Sequence, residues 1–183
     1  IWLIDSMGLV TMSRGKENIS SHKIPFARKT SLTSGLAEII ESVKPGILLG
    51  ISGQPQSFSE QIIKNMNKHC KRPVIFALSN PTSKAECTAN QVYSWTNGEA
   101  VFASGSPFSP IEINGKTLIP GQGNNMYIFP GVGLGSILGG LKTISEDVFL
   151  KSAKVLANSV RNEDFRLGRV YPPLTEIRNI SLN

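Results

Sequence analysis

Cysteine is scarce: the chain of 183 residues carries two, Cys70 and Cys87. They form no metal-ligand spacing and no disulfide framework, which excludes a small cystine-stapled scaffold and leans toward an intracellular setting. Long hydrophobic runs are also missing, since none approaches the roughly 20 apolar residues of a membrane-spanning helix. No signal-like segment opens the chain, which starts on Ile1 instead of Met and inside an apolar run; this reads as a fragment or processed product, with any targeting segment upstream. Histidine is limited to His22 and His69, read as surface residues without catalytic neighbours. Neither a G-x-S-x-G elbow nor a P-loop occurs, so hydrolase and nucleotide-triphosphatase chemistry have no foothold. Aromatic residues make up 7% and do not interleave with the densest basic cluster, Lys64, Lys68, Lys71 and Arg72. The net charge of +6 is therefore read as a solvated basic face, and a basic RNA-binding domain is disfavoured.

What is present describes a globular domain: 40% hydrophobic and 17% charged residues, with enough length for one core. Ile1 to Ile4 reads as a buried strand ending at Asp5, and Leu9 to Met12 as a short continuation. Residues 13–30 are polar, basic and irregular, read as either a mobile connection or a surface arm over a ligand site. A helix is predicted from about Thr33, stopped at Lys44-Pro45-Gly46. Apolar strands at 47–51, 73–78 and 100–103 alternate with helices whose starts carry capping-box spacing, Ser57 with Glu60 and Thr88 with Gln91. Such alternation predicts an α/β fold with a mostly parallel sheet covered on both faces. Asn114-Gly115 marks a hairpin over 112–118. Beyond it the chain turns helical: a buried, glycine-rich helix over 126–142, a second from Ser145 to Asn158, and a last one near Leu174.

Open parallel sheets bind ligands beyond the carboxyl ends of their strands, which directs attention to Asp5-Ser6, Ser52-Gly53-Gln54, Ser79-Asn80-Pro81 and Ser104-Gly105-Ser106-Pro107. An acidic residue at such an exit can hold an adenosine ribose, and Asp5 fits that place; the alternative is an Asp that starts a turn. Ser6, with Lys23 and Arg28 in the basic arm, would suit a phosphorylated ribose. Asn80 can donate to a carboxylate or close an Asx turn, and Asn124 and Asn125 are similar amides at a helix start, with capping as their alternative role. Gly131-Val132-Gly133-Leu134-Gly135 fails the G-x-G-x-x-G spacing and is read as helix packing. Glu86, beside Cys87, has no third metal-ligand partner and is read as a helix-start cap.

The run from Phe76 to Ala89 (FALSNPTSKAECTA) closely resembles the malic enzymes, the oxaloacetate-decarboxylating malate dehydrogenases. Ile1 to Ser6 (IWLIDS), Phe102 to Phe108 (FASGSPF), Pro120 to Asn125 (PGQGNN), Tyr127 to Gly131 (YIFPG) and Tyr171 to Leu174 (YPPL) match in order and spacing, so the resemblance covers essentially the whole chain. It implies a Rossmann-like sheet that is incomplete, lacking its first strand and glycine fingerprint, over residues 1–140, then a truncated C-terminal helical segment over 141–183. It implies oxidation of malate to pyruvate and CO2 with reduction of NADP or, second in preference, NAD, dependent on Mg2+ or Mn2+. By resemblance Asn80, Asn124 and Asn125, with Asn125 preferred to Asn124, are substrate-binding. Asp5, Ser6, Lys23, Ile51, Ser52 and Asn80 are cofactor-binding. The family's catalytic tyrosine and lysine and its acidic metal ligands have no counterpart between residues 1 and 183, so the chain alone is expected to be inactive. A homotetramer and a cytoplasmic location, with the mitochondrion as the alternative, are expected; neither nucleic acid nor membrane is an expected partner. Two departures stand out: Met7 where NADP-type relatives often carry lysine, and the bulkier stretch Gly53 to Ser57. A non-catalytic dinucleotide-binding or regulatory module is the rival reading.

Overall fold

Uninterrupted apolar tetrapeptides and short amphipathic helices fold here into a parallel sheet with helices packed along it. The computed structural model describes residues 1–31 and 35–183. The chain begins with a ribbon in which β1 (Ile4–Asp5) runs antiparallel to β2 (Gly8–Leu9), followed by 3-10 turns at Met12–Arg14, Lys16–Asn18 and Ser21–Phe26. Then come α1 (Leu36–Val43), β3 (Ile47–Gly50), α2 (Glu60–His69), β4 (Val74–Ala77), α3 (Ala89–Trp95) and β5 (Val101–Ser104). A hairpin of β6 (Ile111–Ile113) and β7 (Lys116–Leu118) precedes β8 (Gly121–Gln122), and four helices close the chain: α4 (Phe129–Leu138), α5 (Glu146–Asn158), α6 (Asn162–Arg166) and α7 (Ile177–Leu182). The main sheet has four strands, all parallel, in the order β3-β4-β5-β8. This is the mostly parallel α/β architecture with C-terminal helices that the sequence predicts.

Strand alternation assigns the faces. Ile75, Ala77 and Phe102 point to the side where Ile63 of α2 and Ala89, Val92 and Tyr93 of α3 complete the core, and all seven side chains are fully buried. Tyr93 meets Phe102 edge-on at 6.1 Å between ring centroids, a favoured aromatic geometry. A second core joins Ile40 of α1 to Ile62 and Met66 of α2. The capping box predicted at Thr88 forms, with the Thr88 hydroxyl accepting from the Gln91 N–H and the Gln91 side chain accepting from the Thr88 N–H. In the hairpin, Asn114 and Gly115 both adopt positive φ, as the Asn-Gly turn requires.

Several expectations are corrected. Ile1 to Ile4 is not a buried strand: Ile1 is 79% exposed, and the ribbon finds its backbone partners locally, through β2 and the Val10 N–H to Leu3 carbonyl bond, outside the main sheet. The sheet is not covered on both faces, since Ile47, Leu49 and Ile51 are 61%, 58% and 78% exposed and no helix among the described residues buries them. Ser57 and Glu60 form no capping box. Backbone bonds from Gln56 and Phe58 to the carbonyls of Ala85 and Glu86 hold that stretch out of the helix, with Gln56 at positive φ, so α2 starts at Glu60 with Ser59 at its N-cap position. After α1 the left-handed residue is Lys44, not Gly46, and the predicted start at Thr33 lies outside the described residues. The glycine-rich helix is shorter than predicted and buries no residue. Of its glycines only Gly131 makes a close approach, where an added Cβ would stand 2.9 Å from the Ser181 carbonyl oxygen of α7.

Candidate functional site

Two groups of candidate residues emerge, one at the amino-terminal ribbon and one at the carboxyl edge of the main sheet. In the ribbon, the Asp5 carboxylate accepts from the Met7 N–H at 3.0 Å, so the turn reading of Asp5 is realised. The same carboxylate receives Lys23 Nζ on Oδ2 at 2.8 Å and Arg14 Nη1 on Oδ1 at 2.9 Å. The hydrogen bond from Lys23, reinforced by Arg14 and the Met7 N–H against partial burial, holds the Asp5 carboxyl at about 2, well below its usual range. Ser6 stands exposed beside them in the turn. Arg28 does not join this cluster: it donates to the Ile1 carbonyl and covers the Trp2 ring at 5.3 Å. Arg14 occupies the place expected of it, and its Nη2 is buried with no partner among the described residues. Sequence reasoning passed over Arg14 because only the antiparallel reversal of β1 and β2 and the turn at Met12–Arg14 bring it back to Asp5.

At the carboxyl edge the exits of β3, β4, β5 and β8 converge. Ile51 and Ser52 follow β3, and Ile51 is exposed. Asn80 follows β4 and closes no Asx turn: its carboxamide oxygen accepts from the Ser106 hydroxyl at 2.6 Å, while its nitrogen makes only a long 3.5 Å contact with the Leu78 carbonyl. Gly105 makes this approach possible, because a Cβ there would stand 2.4 Å from the Leu78 carbonyl oxygen and 2.5 Å from Asn80 Nδ2. Across β5 the Gly123 N–H donates to the Ser104 carbonyl, carrying the chain to the same edge. Asn124 takes the capping role there, accepting from the Met126 N–H at 3.0 Å, whereas Asn125 is exposed and spends its side chain on no bond among the described residues. The Tyr171 ring, stacked on Tyr127 at 5.6 Å and tilted on Phe76 at 6.3 Å, backs this loop.

Beneath the loops lies Glu86, and here the structure departs most from expectation. It caps no helix; the side chain is fully buried and accepts at Oε1 from the Ser52 N–H (2.9 Å), the Ser52 hydroxyl (3.0 Å) and the Ser79 hydroxyl (2.5 Å). Burial by itself would raise this carboxyl, but the bonds from Ser79 and Ser52 outweigh it and hold it below its ordinary range. Cys87 beside it is pushed up to about 12 by burial and by the Glu86 charge, which leaves its thiol inert.

Other features of the molecule compete poorly for the role of a ligand site. A hollow of about 330 Å3 lined by Lys71, Arg72, Gly98 and Lys116 lies at the amino ends of β4 and β5, where a parallel sheet presents no strand exits. Among the described residues no group of three or more His, Cys, Asp or Glu could hold a metal ion, and no helix is long and apolar enough to cross a membrane.

Comparison with known proteins points to one family. The family model described as malic enzyme, NAD binding domain, matches residues 1–183. An NADP-dependent malic enzyme of Anas platyrhynchos is 50% identical over 183 residues, covering 100% of this chain and 32% of that protein. The enzyme of the same name from Dictyostelium discoideum is 48% identical, covering 98% of this chain and 33% of its own, and that of Homo sapiens is 49% identical, covering 100% and 32%. The chain thus spans about a third of the length of these relatives. With the matched domain extending from its first residue to its last, the chain belongs to the malic enzyme family, within the NAD-binding domain of that family.

Proposed function

We propose that this chain is the rear part of the cofactor half of a malic enzyme that oxidises malate to pyruvate and CO2 with NADP, residues 1–140 forming the partial cofactor domain and 141–183 the helical segment. The observation that carries the cofactor choice is the Asp5–Lys23–Arg14 cluster. In a dinucleotide fold a bare carboxylate at this place binds the ribose hydroxyls and repels a phosphate on them. Here two cations neutralise Asp5, and Arg14 Nη2 is buried without a partner among the described residues. That is the chemistry a phosphorylated ribose requires, and relatives named NADP-dependent support it.

When bound, NADP supplies the acceptor for the hydride that leaves C2 of malate. The chain's own residues orient the reactants: Asn80 and Asn125 offer neutral amides to a carboxylate, and positioning of this kind contributes to rate by holding a reactive geometry. Ser52 and Ile51 border the cofactor at the β3 exit. The divalent Mg2+ or Mn2+ of the family reaction finds no group of three or more His, Cys, Asp or Glu among the described residues to hold it. Quaternary state follows the family expectation of a homotetramer. Compartment is read as cytoplasmic, although relatives include enzymes named chloroplastic.

In the full-length enzyme, Lys23→Ala raises KM for NADP about tenfold while leaving KM for NAD within about twofold. Asn80→Ala and Asn125→Ala raise KM for malate with cofactor affinity nearly intact. Equal losses with NADP and NAD remove Lys23 from the phosphate site, and cofactor loss in the asparagine variants makes those amides structural.

A further inference from the structure

We propose that Glu86 is a positioning residue that sets the cofactor loop and the substrate amide in one register, a role that rests on the malic enzyme reading above. Its Oε1 gathers three donors from two strand exits: the N–H and hydroxyl of Ser52 after β3, and the hydroxyl of Ser79 after β4. The Ser79 hydroxyl in turn accepts from the Gly53 N–H at 2.9 Å, and the Ser52 hydroxyl accepts from the Gln54 N–H at 3.2 Å, so the loop after β3 is tied twice to one carboxylate. Ser79 is the residue immediately before Asn80.

The cost of this arrangement argues for a use beyond cohesion. Glu86 is fully buried, no cation pairs with it among the described residues, and its Oε2 has no hydrogen-bond partner. Replacing such a buried polar group by an apolar one of similar shape is often neutral or stabilising. The strand beneath also yields space to it, since a Cβ on Gly50 would stand 2.6 Å from the Glu86 carboxyl carbon. Being closed off from solvent, Glu86 touches no reactant and acts through Ser52 and Ser79.

The test uses the full-length enzyme and measures NADP dissociation constant, malate KM, kcat and thermal midpoint for Glu86→Gln, Ser52→Ala and Tyr93→Phe. Glu86→Gln keeps an acceptor oxygen but loses the charge and places amide hydrogens against Gly50. Both the NADP dissociation constant and malate KM should rise about tenfold in it. Ser52→Ala should raise the NADP constant severalfold with malate KM within about twofold, because only the cofactor loop is released. Tyr93→Phe removes another buried, unpartnered oxygen, remote from the strand exits, and should leave both within about twofold. A folded Glu86→Gln enzyme with both constants within about twofold of the parent overturns the proposal, as does a Tyr93→Phe enzyme showing the same double rise. Should Glu86→Gln fail to fold, Ser79→Ala decides: a rise in both constants supports the proposal, and unchanged constants overturn it. A parent enzyme that neither binds NADP nor turns over malate sinks the malic enzyme reading itself, and this proposal with it.

Discussion

Asp5 ties the amino-terminal ribbon together through the Met7 N–H, Lys23 and Arg14. Its folded pKa of about 2 lies below the unfolded value of 3.8, so ionised Asp5 adds stability that is fully present above about pH 4 and is lost as pH falls through about 2. The side chain is 21% exposed, so screening keeps the contribution to about 1–2 kcal/mol. Acid unfolding followed by circular dichroism should therefore show a shallower loss between pH 4 and pH 2 in Asp5→Asn than in the parent. Parallel curves would mean that Lys23 and Arg14 gain nothing from the carboxylate. Asp5 was legible in the run Ile1 to Ser6, whereas Lys23 was singled out only as part of the basic arm, together with Arg28, which turns to the Ile1 carbonyl instead. Arg14 was not legible, since the reversal of the chain between β1 and β2 and the 3-10 turn at Met12–Arg14 bring it back to Asp5. Glu86 was misread for a similar reason: its partners Ser52 and Ser79 are 34 and 7 residues away in the chain, and only strand pairing makes them neighbours.

Among the elements, α4 offers the clearest contrast between propensity and packing. Gly131 is crowded by the Ser181 backbone of α7, while a Cβ on Gly133 or Gly135 meets nothing within 4 Å. Alanine at Gly133 or Gly135 should raise stability by about 1 kcal/mol each, the usual helix gain over glycine, whereas Gly131→Ala should lower it because the α4–α7 contact must open. Thermal melts of the three variants check this order, and a stabilised Gly131→Ala would show that α7 gives way freely. The strands β3, β4 and β5, the hairpin and the helix α3 were readable from apolar runs, an Asn-Gly turn and a capping box. β8 was not, because Gly121-Gln122 carries no strand signal and is recruited by pairing with Ala103 and Ser104. The five residues of α6 fall below the length at which periodicity speaks. Ile1 to Ile4 misled because, among the described residues, its backbone pairs only locally, with β2 and Val10.

For the molecule as a whole, the parallel sheet gathers Ser52, Asn80 and the Asn124–Asn125 loop at its carboxyl edge, with Glu86 beneath, while the Asp5 cluster stands apart on the amino-terminal ribbon. The uncovered β3 face, with Ile47, Leu49 and Ile51 exposed, lies beside the same edge. In the proposed enzyme these two groups would hold the phosphorylated ribose and the reacting end of one extended cofactor, with malate at the amides. A crystal structure of the full-length enzyme with NADP and a non-reacting malate analogue tests this most directly. The account predicts the ribose phosphate within hydrogen-bond reach of Lys23 and the analogue's carboxylate within reach of Asn80 or Asn125. A cofactor seated instead in the basic hollow of Lys71, Arg72 and Lys116, at the opposite edge of the sheet, would contradict it.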